Sequence, residues 1–149
     1  MSKHPIPEGY NTITPTLIVE GAAEAIKLYE KAFGAKEVYR MNTPDGSKIM
    51  HACLQIGSSR LFLCDVNPQM STASNSSFYL YMEDVDATFR QAKQAGLEET
   101  SAVQDMFWGD RTGSIKDKFG IRWTIASHVR DVSKDELEKA AKQWGTKAA

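Results

Sequence analysis

The stretch "HACLQIGSSRLFLC" occupies residues 51–64. Two apolar runs flank a Gly-Ser-Ser turn, so the spacing predicts a β-hairpin. With closure at Ser58-Ser59, alternation gives the hairpin two unlike faces. One carries Leu54, Ile56, Leu61 and Leu63. The other carries His51, Cys53, Gln55, Phe62 and Cys64. A solvent face would favour Lys, Glu and Thr, and a second core face would favour Val and Ile. Soft, polar and aromatic side chains on one face describe the wall of a semi-buried cavity.

The rest of the chain repeats this theme. "TITPTLIV" (12–19) reads as a strand. "GAAEAIKLYEKAFG" follows as a helix, with an apolar stripe of Ala25, Ile26, Leu28, Tyr29, Ala32 and Phe33 and a glycine stop at Gly34. "KEVYRMNT" is a strand, "PDG" (44–46) a turn, and the hairpin supplies two more strands. After a polar linker, "NPQMSTASNSS" (67–77), the order restarts. "SFYLYM" is a strand. "EDVDATFRQAKQAG" is a helix capped by Asp84 and ended by Gly96. "LEETSAV", part of "GDRTGSIKDKFG", and "IRWTIASHV" are strands. Aligning "LIVEGAAEAIKLYEKAFGAKEV" with "LYMEDVDATFRQAKQAGLEET" gives a period of roughly 62 residues. The chain is therefore a duplicated βαβββ module in one 149-residue domain. Module one covers about 10–67, module two about 76–130, and a C-terminal helix about 133–145. "SKDE" (133–136) fits a capping box, and Leu137, Ala140, Ala141 and Trp144 share one helix face.

Composition excludes several classes. Charged residues make 25% of the chain and the net charge is −1, which does not suit a polyanion surface, so no nucleic-acid partner is expected. No run approaches the ~18 apolar residues of a membrane span. "MSKHPIPEGYN" lacks the apolar region of a secretory signal. Two cysteines do not make a disulfide framework, and a reducing cytoplasm is the expected location. No nucleotide fingerprint, phosphate-binding glycine loop, HExxH or Ser-His-Asp order occurs.

The segments "AEAIKLYEKAFGAKEV", "KIMHACLQIG", "FYLYMEDVDA" and "MFWGDRTGSIKDKFGIRWTIASHV", in this order, resemble the vicinal oxygen chelate superfamily. That superfamily includes glyoxalase I, extradiol dioxygenases and the fosfomycin- and bleomycin-resistance proteins. The last segment is closest to its PhnB-like branch. The resemblance implies an α+β fold whose two modules curl mixed sheets into a cup, with helices outside and the extra C-terminal helix appended. It also implies a small-molecule ligand and a homodimer. On that fold, alternation turns Thr12, Thr14, Thr16, Ser77, Tyr79, Tyr81, Arg122, Thr124, Ala126 and His128 into the cup. Phe78, Leu80, Met82, Trp123, Ile125, Ile13, Leu17 and Val19 face the helices. The family's four metal positions correspond to Thr14, Phe62, Ser77 and Thr124, none a usual ligand for a catalytic divalent metal. No cofactor is therefore expected. One alternative is a zinc held by His51, Cys53 and Cys64, since closure at Ser58-Ser59 sets the two cysteines opposite each other, with Cβ atoms about 5 Å apart. A disulfide between them is the corresponding oxidised form.

The expected ligand-binding residues are His51, Gln55, Phe62, Tyr79, Tyr81, Arg122 and Thr124 on one concave surface, with Trp108 and Arg111 at its mouth in "DMFWGDR" (105–111). The bland reading of that loop has Phe107 and Trp108 plugging the core while Asp110 pairs with Arg111. His128 reads as a rim residue holding a turn, "DKFG" (117–120) as a structural turn, and His4 carries no assignment. Three functions stay open. The first is a metal-free binder of an aromatic or polar metabolite or drug. The second is a lyase or isomerase-type enzyme using a non-standard metal or His51 as base. The third is an interaction module with a vestigial cup.

Overall fold

The computed structural model describes residues 4–148, the side chains of 146–148 excepted. The first module comprises β1 (Thr16–Val19), α1 (Ala22–Phe33), β2 (Lys36–Asn42), β3 (Ile49–Ile56) and β4 (Ser59–Asp65). The second comprises β5 (Ser77–Tyr81), α2 (Val85–Gln94), β6 (Glu98–Asp105), β7 (Asp110–Lys116) and β8 (Arg122–His128), and α3 (Lys134–Ala148) follows. Each module forms its own four-stranded sheet, ordered β1-β4-β3-β2 and β5-β8-β7-β6. In each, the strand before the helix runs parallel to the last strand, and the other pairs are antiparallel. This is an α+β fold of two βαβββ modules, as the duplication predicts.

One face of each sheet carries a helix. Ala22, Ala25, Ile26, Tyr29, Ala32 and Phe33 of α1 are buried over Leu17, Val19, Leu54 and Leu63, none of which is exposed. α2 buries Val85, Phe89 and Ala92 in the same core that holds Ile115 and Ile125. Gly113 on β7 has no room for a side chain, because a Cβ there would lie 2.7 Å from the Phe89 ring. Asp84 caps α2 by accepting the Ala87 N–H (3.0 Å). Among the described residues no helix packs on the other face of either sheet.

The modules join through α1. The Tyr29 hydroxyl donates to Asp117 (2.7 Å), whose carboxylate also accepts from Trp123 Nε1 (3.0 Å) and from the backbone N–H groups of Phe119 and Ile121. Trp123 packs against Tyr29 and Phe33, with ring centroids 5.2 and 4.7 Å apart. "DKFG" is thus a structural turn and, in addition, the clamp between modules. Buried polar groups of this kind require such partners.

Three sequence expectations are corrected. First, the hairpin closes around Gly57-Ser58, not Ser58-Ser59, with Ile56 opposite Ser59 and Cys53 opposite Phe62. Gly57 adopts φ +54° at the first of two loop residues, where tight hairpin turns favour glycine. Moving the turn by one residue shifts each cross-strand partner by two, so the faces keep their parity while Cys53 loses Cys64 as its opposite. Second, β1 begins at Thr16. Pro15 has no N–H to donate to a ladder; its carbonyl instead accepts the Phe62 N–H (2.8 Å). Thr12 and Thr14 therefore precede the strand, and Ile13 is 82% exposed instead of facing a helix. Third, the residues expected on one concave surface stand on two sheets that share no strand pairing.

In α3, Ser133 accepts the Glu136 N–H (3.2 Å), which forms half of the expected capping box. The Trp144 ring meets Phe107 with centroids 5.6 Å apart, and Trp144 stays 46% exposed.

Candidate functional site

On the helix-free side of the second sheet, β5 presents Tyr79 and Tyr81. β8 presents Arg122, Thr124 and His128, and β7 presents Asp110 opposite His128 and Ser114 opposite Thr124. Asp110 is only 2% exposed. One oxygen accepts the hydroxyls of Tyr79 (2.6 Å) and Tyr81 (2.8 Å), and the other lies 2.8 Å from His128 Nδ1. Trp108 Nε1 donates to the Tyr79 hydroxyl (3.1 Å), and His128 Nε2 lies 2.8 Å from Asp131. The loop that delivers Trp108 and Asp110 turns at Gly109, with φ +98°. The Gly109 carbonyl accepts the N–H groups of Val129 and Arg130. A Cβ there would stand 2.1 Å from the Arg130 carbonyl oxygen, so only glycine fits.

The charges of this network support one another. Burial works against ionisation of Asp110, but hydrogen bonds from Tyr79, His128 and Tyr81 outweigh it and hold the carboxyl below its ordinary value. Burial and the bond to Asp110 push the Tyr79 hydroxyl up to about 12. The bond to Asp110 also raises Tyr81. Hydrogen bonds to Asp131 and Asp110 raise His128 above its ordinary value. At neutral pH both phenols keep their protons and Asp110 keeps its charge. Such a cluster orients hydroxyls and rings. It does not supply a free base. Tyr79 and Tyr81 are nevertheless 44% and 61% exposed, with ring centroids 5.2 Å apart. A wall of rings is therefore held open to solvent by a carboxylate beneath it.

The first sheet is arranged differently. His51 Nε2 lies 2.8 Å from the Tyr39 hydroxyl, and the His51 ring packs edge-on to Phe62 with centroids 4.6 Å apart. Residues before β1 cross this face. Tyr10 packs on Phe62 at 5.8 Å, its hydroxyl lies 3.5 Å from Cys53 Sγ, and the Arg60 guanidinium stacks 4.4 Å over its ring. Between this strap and the sheet lies a cavity of about 490 Å³, lined by Ile6, Tyr10, Asn11, Tyr39 and Phe62 among others.

Several expected residues take other roles. Gln55 bonds to Arg60 Nε and to the Gly57 carbonyl, so its amide serves the hairpin end. Arg111 does not stand at a cup mouth. It points to the helix side, binds Asp86 through two nitrogens (2.9 and 3.0 Å) and reaches Asp105 (3.1 Å). Strand alternation explains the reversal: Asp110 occupies the helix-free side, so its neighbour must take the other. Asp110 and Arg111 do not pair, and Phe107 and Trp108 are half-buried outside the core. Arg122 is exposed on the helix-free side beside Ser77, and Thr124 lies 3.2 Å from the Ser114 hydroxyl. The hairpin register sets Cys53 opposite Phe62, so it does not bring the two cysteines together as the zinc alternative expects. Cys53 is fully buried against Tyr10, Cys64 pairs with Ile18, and among the described residues no three His, Cys, Asp or Glu side chains gather as a metal requires. Nor do Thr14, Phe62, Ser77 and Thr124 fit a catalytic divalent metal, since Phe62 has no donor atom and the rest offer only hydroxyls.

Sequence reasoning missed Tyr10, Tyr39 and Asp110. Alternation along β7 and β2 contains the signal for Asp110 and Tyr39. For Tyr10 no local signal exists, because its partners are about forty or more residues away.

The family model for the glyoxalase/bleomycin resistance protein/dioxygenase superfamily matches residues 10–125. An uncharacterized protein of Mycobacterium bovis is 38% identical over 143 residues, covering 89% of this chain and 93% of its own. Among solved structures, the PhnB protein of Bacillus cereus superposes with a TM-score of 0.62 at 20% identity, over 78% of this chain and 99% of its own. The fosfomycin resistance protein FosX of Listeria monocytogenes superposes with a TM-score of 0.60 at 17% identity, over 85% and 96%. These two likenesses concern the fold.

Proposed function

Because the chain belongs to the glyoxalase/bleomycin resistance protein/dioxygenase superfamily, we propose that it binds a small molecule on its helix-free sheet faces, without a divalent metal. One observation carries this reading: exposed Tyr79 and Tyr81 are locked from below by the buried Asp110 carboxylate, and half-buried Trp108, bonded to Tyr79, completes an aromatic wall. Locking phenols into one geometry removes rotamer freedom before a ligand arrives, which favours binding. A planar or aromatic ligand suits such a wall. We propose further that the protein is a cytoplasmic homodimer in which a second copy covers part of the exposed faces, since Met41, Tyr79 and Tyr81 are 50%, 44% and 61% exposed.

A thermal-shift screen of metabolites and drugs, with and without EDTA, tests the proposal. A ligand that stabilises wild type but not Tyr81→Ala or Trp108→Ala, with EDTA making no difference, supports it. A stabilising ligand that requires one equivalent of metal overturns it. A second reading rests on the His51–Tyr39 contact beside the cavity of about 490 Å³. There His51 acts as the base of a lyase or isomerase-type reaction. Turnover of a screening hit that is lost in His51→Ala but kept in Trp108→Ala would favour it.

A further inference from the structure

A separate cavity of about 480 Å³ opens where the first module meets the segment that leads to the second. Its walls come from Ile18 on β1, Ile49 and Met50 at the start of β3, Cys64 on β4, and Met70. Ile18 and Cys64 are register partners on the helix-free side. The wall that carries Met70 is built, not draped. The N–H groups of Met70 and Ser71 donate to the Asn67 carbonyl (2.9 and 2.8 Å), and Ser74 bonds to Ile18 through both its N–H and its hydroxyl. Burial and the neighbouring Asp65 push the Cys64 thiol up. It therefore stays a neutral, apolar part of the wall.

Two charged residues line this cavity, and they differ in how far they are committed. Asp65 is fully engaged. It accepts the N–H groups of Gly21 and Ala22 at the start of α1 (3.0 and 2.9 Å) and that of Ile49 (2.8 Å). Despite burial, these bonds, helped by the charge of Lys48, hold its carboxyl below the ordinary value. Lys48 is engaged only at a distance, through the attraction of its charge to Asp65. The β2–β3 turn satisfies itself, with Asp45 accepting from the hydroxyls of Thr43 and Ser47 and from the Ser47 N–H. The Lys48 backbone is pinned to Thr43 (2.8 Å). Its ammonium has neither a hydrogen bond nor an ion pair among the described residues. An apolar cleft therefore carries one cation whose hydrogen-bonding positions no described residue fills, on a turn that satisfies itself.

We propose that this cleft is a second ligand site and takes a monocarboxylate with an apolar body, with Lys48 holding the carboxylate. The volume falls within the roughly 300–1,000 Å³ of small-molecule sites. The Asp110 face plays no part in it. The test titrates octanoate into the full-length protein labelled with ¹³C at its methionine methyls. The methyls of Met50 and Met70 should shift saturably while that of Met82 stays in place. Lys48→Gln, on an exposed turn, should keep the melting temperature and weaken octanoate about tenfold, and Lys48→Arg should restore most of the affinity. 1-Octanol should bind more weakly than octanoate and ignore the Lys48 substitution. The proposal is overturned if octanoate fails to saturate below about 1 mM, if 1-octanol binds as tightly, if Lys48→Gln changes nothing, or if the shifts appear at Met106 instead.

Discussion

Asp110 and Asp117 bracket β7, and both carboxylates are nearly out of water, at 2% and 7% exposure. Both accept hydrogen bonds from aromatic side chains. The side of the sheet on which those donors stand separates their roles. Asp117 takes Tyr29 and Trp123, which lie in the helix-side core, and two turn amides. It holds α1 of one module to the β7–β8 turn of the other. Asp110 takes Tyr79, Tyr81 and His128, which stand on the helix-free side and reach solvent. It holds a surface. The same chemistry, a buried carboxylate with phenol donors, makes a clamp in one place and a binding wall in the other.

The largest effect should come from Asp117→Ala. It leaves the Tyr29 hydroxyl, the Trp123 N–H and two amides without their acceptor, at about 1–3 kcal/mol for each donor kept from water, and about 3–5 kcal/mol in all after relaxation. Urea unfolding measures this. Asp110→Ala should cost clearly less, because Tyr79 and Tyr81 can turn to water; equal costs would break the comparison. A pair of smaller substitutions sharpens it. Tyr29→Phe should cost about 1–2 kcal/mol, since Asp117 loses a donor in the core. Tyr81→Phe should stay within about 0.5 kcal/mol while weakening any ligand of the aromatic wall. The smallest effect is a pH dependence. His128 has its pKa raised by Asp131 and Asp110, so its contribution is complete below the ordinary value of 6.5 and fades as pH rises through the raised value. Asp110 has the opposite sign: its contribution is complete above its ordinary value of 3.8 and is lost as pH falls through the lowered one. The stability gap between wild type and His128→Gln should therefore be widest between these two values and narrow above pH 7. A gap that widens toward alkaline pH would count against the His128–Asp110 bond.

Individual residues show how far a site can be read from a linear chain. Tyr79 and Tyr81 were legible because alternation with Phe78, Leu80 and Met82 leaves them only the helix-free side. Arg111 is not legible from residue type alone: strand parity from Asp110 onward turns it to the helix side, onto Asp86. Trp108 was legible as a ring of the pocket wall, but its bond to Tyr79 depends on where β5 lies beside β8 and β7. The Tyr10 strap was not legible, since a tail of prolines and polar residues shows nothing of the sheet it will cross. The cleft beneath Met70 was equally hidden, because its walls are distant in sequence.

The sequence by itself determined the duplicated βαβββ order, the helices with their stops near Gly34 and Gly96, and the sorting of Leu54 and Leu63 from His51 and Phe62. Periodicity of 2 and 3.6 residues dictates these, because burying one face excludes every other register. Only the tertiary structure decided the position of the hairpin turn, the separation of Cys53 from Cys64, the strap over the first sheet and the contrasting roles of Asp110 and Asp117. A shift of the turn by one residue preserves parity, so hydrophobic patterning cannot sense it; the backbone conformation available to Gly57 settles it. A buried carboxylate, likewise, carries no mark of its role until the fold brings its donors to one side of the sheet or the other.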